Sequence, residues 1–577
     1  MTETVADGVW AMLVGAGVRR CYGIVGDALN PMIDALRRNG SVDFVNVRHE
    51  EYGVFAAVAE ACLTGQPVAV CGTAGPGTAH LINGLIDARK EGAPVIAISG
   101  DVESSIIDSE ALEELNPYTF FAPAALYIGR LVNPAQLHNI VGTAITTAIA
   151  ERGPTVISVP GDVASAEAPH GGHFVPLPAA TTGPASAADL EAMAAMINQA
   201  DNIAIFRGNG CRDAAAETRS LALKLKAPVG FTVKGKQWLE HDNANAVGMT
   251  GLLGYGGCWD AINHADVLIM LGTDFPFSDF LPHKDVKTIQ VDRNRNHLGR
   301  RAPLALSVVG DVKATLTAIL PLVEEKHDDK FLRSHVEKTE HFNKRLQHYV
   351  TKGPGLKPIR PEYVAAVLDE LADDDAMFFA DTGTPCVWAA RHIHYGAGRR
   401  LFGSFTWASM ANASPNAFGA QLAFPGRQTI ALCGDGGFTM LAMGDLLTEV
   451  RRRAPVVHVI FDNAMLDFVN IEQQEAGLVP FGTELVNPDF SKVAEACGAK
   501  GMRIEEPGDV REGLQAALSY KDGPVVVDVL VDRYALALPS HVPAQTVKGF
   551  TLSLVRQALS GKMDEVIETL EHNVRLL

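Results

Sequence analysis

The sequence predicts an α/β protein with three doubly wound parallel-sheet domains, followed by a helical tail at the C-terminus. Short apolar runs recur along the chain, and most are bounded by Gly, Asn or Asp and followed by a helical stretch. Such runs are typical of buried parallel strands, which need crossover helices between them. At 577 residues the chain should hold about three or four domains. Stretches rich in Pro and Gly at 164–186 and 353–361 separate the regions.

The composition excludes several functional classes. The chain is 47% hydrophobic and 20% charged, which is ordinary for a globular protein, and its formal net charge is −18. Because no run of Lys and Arg with interleaved aromatic residues stands out, we do not expect nucleic-acid binding. The eight cysteines have no C-x-x-C spacing and suit core thiols in a reducing cytosol. We see neither a signal peptide nor an apolar stretch of the ~18 residues that a transmembrane helix needs, and we expect a cytoplasmic protein.

The segment 434–463 carries the most specific motif of the chain. An apolar run leads into a Gly-Asp-Gly-Gly turn at 434–437, and a second apolar run ends shortly before Asn463. With a helical stretch at 440–452 between them, the two runs predict a βαβ unit. Asp435 and Asn463 should then lie at the carboxyl ends of neighbouring strands, where open α/β sheets bind ligands. A carboxylate and an amide oxygen suit Mg²⁺, and the glycines let backbone N–H groups approach an anion.

Gly-Asp-Gly followed by Asn 28 residues after the Asp resembles the motif of thiamine diphosphate (ThDP) enzymes, in which a metal ion bridges the cofactor's diphosphate. The resemblance implies that Asp435, Asn463 and the backbone carbonyl of Met465 bind the metal. It implies ThDP contacts from three glycines of the turn, Gly434, Gly436 and Gly437. Further matches along nearly the whole chain resemble the pyruvate oxidase and pyruvate:quinone oxidoreductase branch of the acetolactate synthase superfamily.

This resemblance gives each region of the chain a role. Residues 1–165 correspond to the pyrimidine-binding domain, 187–325 to a middle FAD-binding domain and 357–540 to the diphosphate-binding domain. Residues 541–577 form the helical tail. Active sites of the family lie between subunits, with Glu50 from one and Asp435 from another, so we expect a homo-oligomer, either a dimer or a tetramer.

In the first domain, two predicted strands end at Gly26 and just before Glu50. A carboxylate that opens a helix is favoured by the helix dipole, and this is the simplest interpretation of Glu51. By resemblance, Glu50 instead reaches N1′ of the cofactor's aminopyrimidine and shares a proton with it. Gly26 and Gly75, the latter in a Gly-Pro-Gly turn, correspond to further ThDP contacts.

One segment of the first domain departs from the family. Leu112 and Glu113 stand where the pyruvate-oxidising branch has Phe-Gln at a helix start near the substrate. An anionic 2-oxo acid would be repelled by Glu113 unless this carboxyl is protonated or turned away. Burial would raise its pKa and help to keep it neutral.

Strand ends of the middle domain carry small or acidic residues that can line one long ligand, with glycines at a pyrophosphate and acids at ribose hydroxyls. The set resembles the FAD-binding domain of the pyruvate oxidase branch, especially Gly-Met-Thr-Gly at 248–251 and Leu-Gly-Thr-Asp at 271–274. Any single Gly-x-Gly could equally be a tight βα turn. The expected FAD contacts are Gly208, Gly210, Thr250, Gly251, Gly272, Thr273, Asp274, Asp292 and Asp311.

In the third domain, Gly383 and Thr384 form a second turn suited to phosphate. By resemblance, Met410 props ThDP in its bent form, although the same residue could be an ordinary core Met. The residue two positions earlier normally offers its carbonyl to the cofactor's 4′-amino group. It is usually Gly and here is Ala408, which we expect to be tolerated because the contact is made by the backbone.

Three residues that follow the metal motif also have counterparts in the family. Phe468 matches an aromatic residue between the ThDP and flavin regions, and Glu472 matches an acid near the reacting group. By resemblance both are catalytic, together with Glu50 and Met410. Asp467 stands where Gly is usual, which should stiffen or reshape this loop.

The tail resembles the C-terminus of bacterial pyruvate:quinone oxidoreductase, notably at 548–550. Its second half predicts a helix with one apolar face, made of Met563, Ile567, Leu570, Val574 and Leu577. This face could dock on the enzyme's own body or lie at the inner surface of a membrane. Acidic residues offset the Lys and Arg of the tail, so no polybasic membrane patch is present.

Together the resemblances imply a ThDP-, Mg²⁺- and FAD-dependent oxidative decarboxylation of a 2-oxo acid. We expect pyruvate as the substrate and a quinone as the final electron acceptor. The alternatives are an oxidase linked to O₂ and phosphate, and a non-oxidative carboligase or lyase of the acetolactate synthase kind. A binding protein that has lost catalysis is disfavoured because Glu50, Asp435 and Asn463 are all present.

Overall fold

Three six-stranded sheets organise the chain in the computed structural model, which describes residues 3–169, 182–282, 285–396, 398–539 and 541–575. Neighbouring strands within all three sheets are parallel. Helices pack around the sheets, so the predicted α/β class with three doubly wound sheets is confirmed. The connection between two parallel strands must cross the sheet, which is why helices alternate with strands.

The strands follow one another along the chain, six to a sheet. The first sheet has the order β2-β1-β3-β4-β6-β5 and comprises β1 (Arg20–Gly23), β2 (Asp43–Asn46), β3 (Val68–Gly72), β4 (Val95–Asp101), β5 (Tyr127–Arg130) and β6 (Thr155–Pro160). The second has the order β12-β11-β10-β7-β8-β9 and comprises β7 (Ile203–Arg207), β8 (Val229–Phe231), β9 (Ala246–Met249), β10 (Val267–Leu271), β11 (Lys287–Asp292) and β12 (Leu306–Val309). The third has the order β14-β13-β15-β16-β18-β17 and comprises β13 (Met377–Ala380), β14 (Arg400–Phe402), β15 (Thr429–Gly434), β16 (Val456–Asp462), β17 (Lys500–Ile504) and β18 (Val525–Leu530).

The α-helices fall into the same regions. Those around the first sheet are Val5–Gly15, Asn30–Asn39, Glu50–Thr64, Pro76–Ala79, Ile82–Glu91, Pro117–Phe120, Leu137–Glu151 and Gly161–Ser165. Those around the second are Ala187–Gln199, Ala215–Leu225, Val233–Lys236, Cys258–Asn263 and Val312–Ile319, and the long helix Lys330–Lys352 leads to the third. Those around the third are Pro361–Leu371, Thr384–His392, Ala413–Ala423, Asp435–Gly437, Met443–Arg452, Asp467–Glu475, Phe490–Ala496 and Val510–Ser519, and the tail contains Ala544–Leu559 and Met563–His572.

The predicted βαβ unit is present around the Gly-Asp-Gly turn. Strands β15 and β16 are neighbours in register, with Gly434 opposite Phe461. The crossover helix begins earlier than predicted, at Asp435, and contains one π-helical turn at Phe438–Ala442 before it continues as Met443–Arg452. π-turns of this kind are common at functional sites. The turn after β15 therefore opens directly into a helix, with its N–H groups facing the carboxyl edge of the sheet.

One hydrophobic core runs through the first and third sheets. The ring of Phe418 lies 6.5 Å from that of Tyr22 and 5.9 Å from that of Tyr52, both from the first domain. The same cluster includes Met377 and Val526 of the third sheet. Across this interface the Tyr52 hydroxyl donates to the Glu449 carboxylate at 2.5 Å. The second sheet instead packs in clusters formed almost wholly by its own region.

The tail docks on the third domain through a face other than the predicted one. Val566, Thr569 and Asn573 are buried, and Asn573 donates to the carbonyl oxygen of Tyr534 at 2.6 Å. The predicted apolar face is exposed, with exposed fractions of 51% at Met563, 44% at Ile567, 42% at Leu570 and 68% at Val574. These four residues therefore do not dock on the chain's own body. The fifth residue of the predicted face, Leu577, lies outside the described part. In the described ranges no helix combines the length and apolar character needed to cross a bilayer.

Candidate functional site

The Gly-Asp-Gly turn places Asp435 at the carboxyl edge of the third sheet. Its side chain is only 3% exposed. One carboxylate oxygen accepts from the Gly436 N–H at 2.8 Å, and the other accepts from the Asn487 amide at 2.7 Å. The same amide donates to Asp462 at 2.7 Å. Burial raises the pKa of Asp435 to about 6, although the Asn487 amide opposes the shift.

The other two predicted metal ligands follow β16. The side-chain oxygen of Asn463 accepts from the Met465 N–H at 3.0 Å, which closes a tight turn. Met465 itself forms an antiparallel bridge to Glu484. A carboxylate, an amide oxygen and a peptide carbonyl thus follow the ends of two adjacent strands, and hard oxygen donors of this kind suit Mg²⁺.

Two further parts of the chain close on this turn. A Cβ atom at Gly437 would collide with the carboxylate of Asp381, so only glycine fits there. The terminal methyl of Met410 would lie 3.3 Å from a Cβ at Gly436. Met410 is therefore brought to the predicted metal turn and is not an ordinary core residue, since it is only half-buried.

Asp381 anchors the loop 404–412, which carries Ala408 and Met410. Its buried carboxylate accepts from the backbone N–H groups of Asn412 at 2.9 Å and Ala413 at 3.2 Å. Burial raises the pKa of Asp381 to about 7. Asp381 lies two residues before Gly383 of the predicted phosphate turn, and its anchoring role was not predicted. Its neighbours in that turn are Gly383, whose φ of 141° favours glycine, and the buried Thr384.

Ala408 adopts a left-handed backbone conformation, with φ at 63°. This region suits Gly, and a residue with a Cβ atom pays about 1–2 kcal/mol there. The prediction that Ala is tolerated considered only the backbone contact, and the conformation adds a strain that the sequence did not reveal. Ala408 is exposed at the surface of the loop, so its methyl group meets no crowding that would forbid the conformation.

Glu50 is the first residue of its helix and is 5% exposed. Its Oε2 lies 2.9 Å from Nδ1 of His80, and the imidazole of His80 stacks on that of His49 with centroids 4.4 Å apart. Burial, followed by the nearby His80, lowers the pKa of His49. Sequence analysis gives His80 no role, because a separation of 30 positions from Glu50 conceals the contact.

Asp445 holds the backbone that leads into Glu50. Its carboxylate accepts from the N–H groups of Arg48 at 2.7 Å and His49 at 3.1 Å. Asp445 belongs to the same continuous helical segment that begins at Asp435. Burial raises the pKa of Asp445 to about 6. The helix that follows the metal turn is thereby joined to the start of the Glu50 helix within one chain.

Asn83 makes a second link between the first and third domains. Its amide group donates to Glu51 at 2.7 Å and to the Ser409 hydroxyl at 3.1 Å. Its carbonyl oxygen accepts from the indole N–H of Trp407 at 2.7 Å. Glu51 therefore does more than favour the helix dipole, because it orients the side chain that holds the 404–412 loop.

The predicted glycines of the first domain lie at close approaches. Gly26 packs against Thr73. Gly75 has a φ of 62°, and a Cβ atom added to it would lie only 2.9 Å from Cβ of Glu113. Glu113 is exposed and sits in a turn with φ at 64°, whereas a helix start was expected. Leu112 is 90% exposed. Burial of the Glu113 carboxyl, which would have kept it neutral, is not provided by this chain.

The helix Asp467–Glu475 presents Phe468 and Glu472 one turn apart, which places them on one face. Phe468 is half-buried against the third-domain core, whereas Glu472 is exposed. Asp467 is 8% exposed, and burial together with the charges of Asp435 and Asp532 raises its pKa to about 8. Asp467 is the first residue of this regular helix.

The first tail helix packs on this same helix. The Arg556 guanidinium donates to the Gly477 carbonyl oxygen at 2.6 Å, and the Ser553 hydroxyl donates to that of Leu478. Gly549 lies so close that an added Cβ atom would collide with the Glu475 carbonyl oxygen. The tail thus supports the element that carries Phe468 and Glu472.

The residues predicted to contact FAD gather at the carboxyl ends of the second sheet. Gly208 and Gly210 lie against Gly272 and Thr273, at the ends of β7 and β10. Thr250 is 3% exposed, and its hydroxyl oxygen is buried without a hydrogen-bond partner among the described residues. The next residue, Gly251, packs against the Phe275 ring.

The three predicted acids of this domain already have partners. Asp274 pairs with Arg300 at 2.8 Å and with Arg301 at 3.0 Å. Asp292 accepts from the Asn294 N–H at 2.8 Å. Asp311 caps the helix Val312–Ile319. The predicted glycines and Thr250 therefore lie at the carboxyl edge of the second sheet. The three carboxylates already form an ion pair, a turn and a helix cap within the chain.

Three family models match successive parts of the chain. The thiamine pyrophosphate enzyme N-terminal TPP binding domain matches residues 3–120. The central domain of the same enzymes matches residues 190–319, and the C-terminal TPP binding domain matches residues 381–529. Each match covers strands of one of the three sheets.

Several curated proteins are similar over most of their length. A protein of Bacillus subtilis (strain 168) called YdaP is 34% identical over 98% of both chains. The pyruvate oxidase of Lactiplantibacillus plantarum is 30% identical over 89% of this chain and 86% of its own. The acetolactate synthase of Mycobacterium bovis is 30% identical over 93% of this chain and 89% of its own.

Proposed function

Because the chain belongs to the thiamine pyrophosphate enzyme family, we propose that it decarboxylates a 2-oxo acid with ThDP held through Mg²⁺, and passes the electrons to FAD and then to a quinone. The observation that carries this proposal is the position of Asp435, Asn463 and Met465, which follow the carboxyl ends of the adjacent strands β15 and β16. When bound, ThDP supplies the electron sink for loss of CO₂.

The chain's own residues would divide the work of binding. The oxygens of Asp435, Asn463 and Met465 would hold the cation, and the N–H groups at the start of the following helix would face the diphosphate. Met410 would support the cofactor from the opposite side, since its methyl group lies next to the turn.

Glu50 would hold the proton at N1′ of the aminopyrimidine. His80 engages Oε2 of this carboxylate at 2.9 Å, whereas Oε1 lies beside Gly77, which has no side chain of its own. A buried carboxylate with one oxygen fixed is well suited to share a proton at a defined atom. Asp445 would keep the helix start in place by binding the two preceding N–H groups.

Two orphan polar groups favour FAD in the middle domain. The Thr250 hydroxyl and two nitrogens of the Arg207 guanidinium are buried without hydrogen-bond partners among the described residues. Such groups cost free energy unless a partner arrives. Arg207 immediately precedes Gly208, so a bound pyrophosphate would bring negative charge to a buried cation. The similarity to a pyruvate oxidase supports the same cofactor.

Exposed apolar surface supports the proposed partners. The apolar face of Met563–His572 is open, and a quinone at a membrane surface would suit it. Near the site, Leu112 is 90%, Phe481 88% and Val486 102% exposed. Such residues favour cover by a second subunit, as expected if active sites form between subunits.

The deciding experiment is an anaerobic panel of 2-oxo acids added to the purified protein. We expect a yellow protein whose flavin absorbance bleaches with pyruvate only when ThDP and Mg²⁺ are present. A second function is favoured by the similarity to acetolactate synthase and by the departure at Leu112 and Glu113. It is a non-oxidative carboligase, and condensation products without flavin bleaching would select it.

A further inference from the structure

Asn487 donates a hydrogen bond to Asp435 of the candidate cation site, although the Gly-Asp-Gly motif does not include it. We propose that Asn487 is a positioning residue, whose amide holds the Asp435 carboxylate in the orientation that Mg²⁺ requires. This inference rests on the proposed function, because it assigns a role around the cation that would bridge the ThDP diphosphate. It adds a third side chain to the two side chains and one backbone carbonyl that the motif supplies.

The geometry of the amide is the first argument. A single side-chain NH₂ group carries two hydrogens, and here it donates to Asp435 and to Asp462, each at 2.7 Å. Two carboxylates that face one another repel when both are charged. The amide is the donor between them in the described part of the chain, so it sets their separation and compensates part of their charge.

The Asp435 carboxylate is consequently fixed at both oxygens. The Gly436 N–H holds Oδ1 at 2.8 Å while Asn487 holds Oδ2, so rotation of the carboxylate plane would break one of the two bonds. Mg²⁺ demands a nearly ideal octahedron, and a ligand with a defined plane meets this demand at lower entropic cost. Loss of the Asn487 bond would free the carboxylate to turn.

The segment that carries Asn487 supplies the second argument. It runs antiparallel to 464–466, with the Leu466 N–H donating to the Thr483 carbonyl oxygen at 2.7 Å and the Leu485 N–H donating to that of Ala464 at 2.9 Å. Met465, whose carbonyl is a predicted ligand, lies between these bonds. One short segment therefore braces two of the three proposed ligands, by its backbone at Met465 and by Asn487 at Asp435.

Removal of a residue that hydrogen-bonds to a metal ligand typically lowers metal affinity by about 10- to 100-fold. Asn487→Ala should lower the affinity for Mn²⁺, used as a paramagnetic substitute for Mg²⁺, by a factor in this range when ThDP is present. Electron paramagnetic resonance of free Mn²⁺ measures this directly. Calorimetry should show weakened ThDP binding at low Mg²⁺, with affinity returning close to that of the parent when Mg²⁺ is saturating.

Rescue by Mg²⁺ distinguishes positioning from a folding role, because a damaged fold would not be repaired by more cation. Glu495→Ala is the control, since this exposed side chain of the following helix lies outside the candidate site and should leave Mn²⁺ binding unchanged. If Asn487→Ala does not fold, Asn487→Ser retains a short polar group and should show a smaller loss in the same assays.

Three outcomes would overturn the inference. Mn²⁺ affinity equal to that of the parent would remove the positioning role, and loss of ThDP binding that saturating Mg²⁺ does not restore would make Asn487 a folding residue. If the parent itself shows no cation-dependent ThDP binding, the proposed function fails first and the inference fails with it. The measurements on the parent separate this last case from the other two.

Discussion

Single side chains determine whether the candidate site can move a proton, and Glu50 is the most direct test. Glu50→Gln should fold and bind ThDP, because the amide has the same shape and the helix start is held by Asp445. A neutral amide cannot share the N1′ proton, so hydrogen–deuterium exchange at C2 of bound ThDP should slow by about 10²–10⁴-fold. Glu151→Gln, an exposed carboxylate of the same domain, is the control, with exchange close to that of the parent. Fast exchange in Glu50→Gln would refute the assignment.

Asp467 predicts a pH dependence of stability. Its pKa is about 8 in the folded chain, against a reference near 4 in unfolded chains, so the folded state binds this proton more tightly. Stability from this group is present below about pH 4 and is lost as the pH rises toward about 8. Asp467→Asn has no ionisable carboxyl at this position, so the variant does not lose this stability as the pH rises. Without added metal, the melting temperature of Asp467→Asn minus that of the parent should increase with pH.

The exposed Asp522 provides the control for this pH series. Asp522→Asn should keep a constant difference in melting temperature from the parent. A flat difference for Asp467→Asn as well would mean that the Asp467 carboxyl is ionised in the folded chain across the series.

The placement of a residue is predictable where its motif is local in the sequence. Asp435 and Asn463 are recognised from their 28-residue spacing because one βαβ unit fixes their positions. Asn487 and Asp445 escape recognition because their partners are 52 and 397 residues away. Nothing in the local pattern of an Asn or an Asp tells which distant carboxylate or N–H it will meet.

At the scale of elements, the contact between the first tail helix and the helix Asp467–Glu475 makes a testable prediction. A methyl group at Gly549 would collide with the Glu475 carbonyl oxygen, so Gly549→Ala must push the two helices apart. Overpacking of this kind costs about 1–3 kcal/mol. We expect faster limited proteolysis of the tail and reduced turnover, because Phe468 and Glu472 shift with their helix.

Gly561→Ala, also in the tail, is the comparison variant. A Cβ atom there meets no atom within contact distance, although φ of 86° imposes a local backbone cost. It should leave turnover unchanged. Equal turnover and equal proteolysis in Gly549→Ala and the parent would contradict the supporting role of the tail.

Element-scale prediction depends on burial. Central strands such as β4, β10 and β15 are apolar throughout and are readily recognised. The sequence pattern misses five strands that are short or lie near a sheet edge, namely β5, β8, β9, β14 and β17. At β17 only Ile504 is buried, so the strand has no continuous apolar run. The tail helix shows the converse, since its most regular apolar face is the one that stays exposed.

At the scale of the whole molecule, the shared core predicts how the protein unfolds. Phe418→Ala removes a fully buried ring that contacts both domains, which should cost about 3–5 kcal/mol. Hydrogen exchange should then increase together in β1–β6 and β13–β18, while β7–β12 keep their protection. Leu271→Ala in the second sheet is the control and should show the opposite distribution. Increased exchange confined to the third sheet would contradict a common unfolding unit.

The whole-molecule architecture is largely predictable, since three repeats of strand, turn and helix leave few alternatives to three parallel sheets. The packing of the first domain against the third cannot be predicted in this way. Apolar residues on Glu50–Thr64 and Ala413–Ala423 look like ordinary helix faces, and nothing in either segment names the other as its partner.

The shared core also has a consequence for how the chain is made. The first domain cannot complete its apolar packing until the helix Ala413–Ala423 exists, so its unfinished surface must wait through the synthesis of roughly 250 further residues at about 5–20 residues per second. During this interval the nascent chain exposes apolar surface that its later residues will bury. A ribosome that pauses before Phe418 would lengthen that exposure, and chaperone capture of the growing polypeptide should peak in that interval.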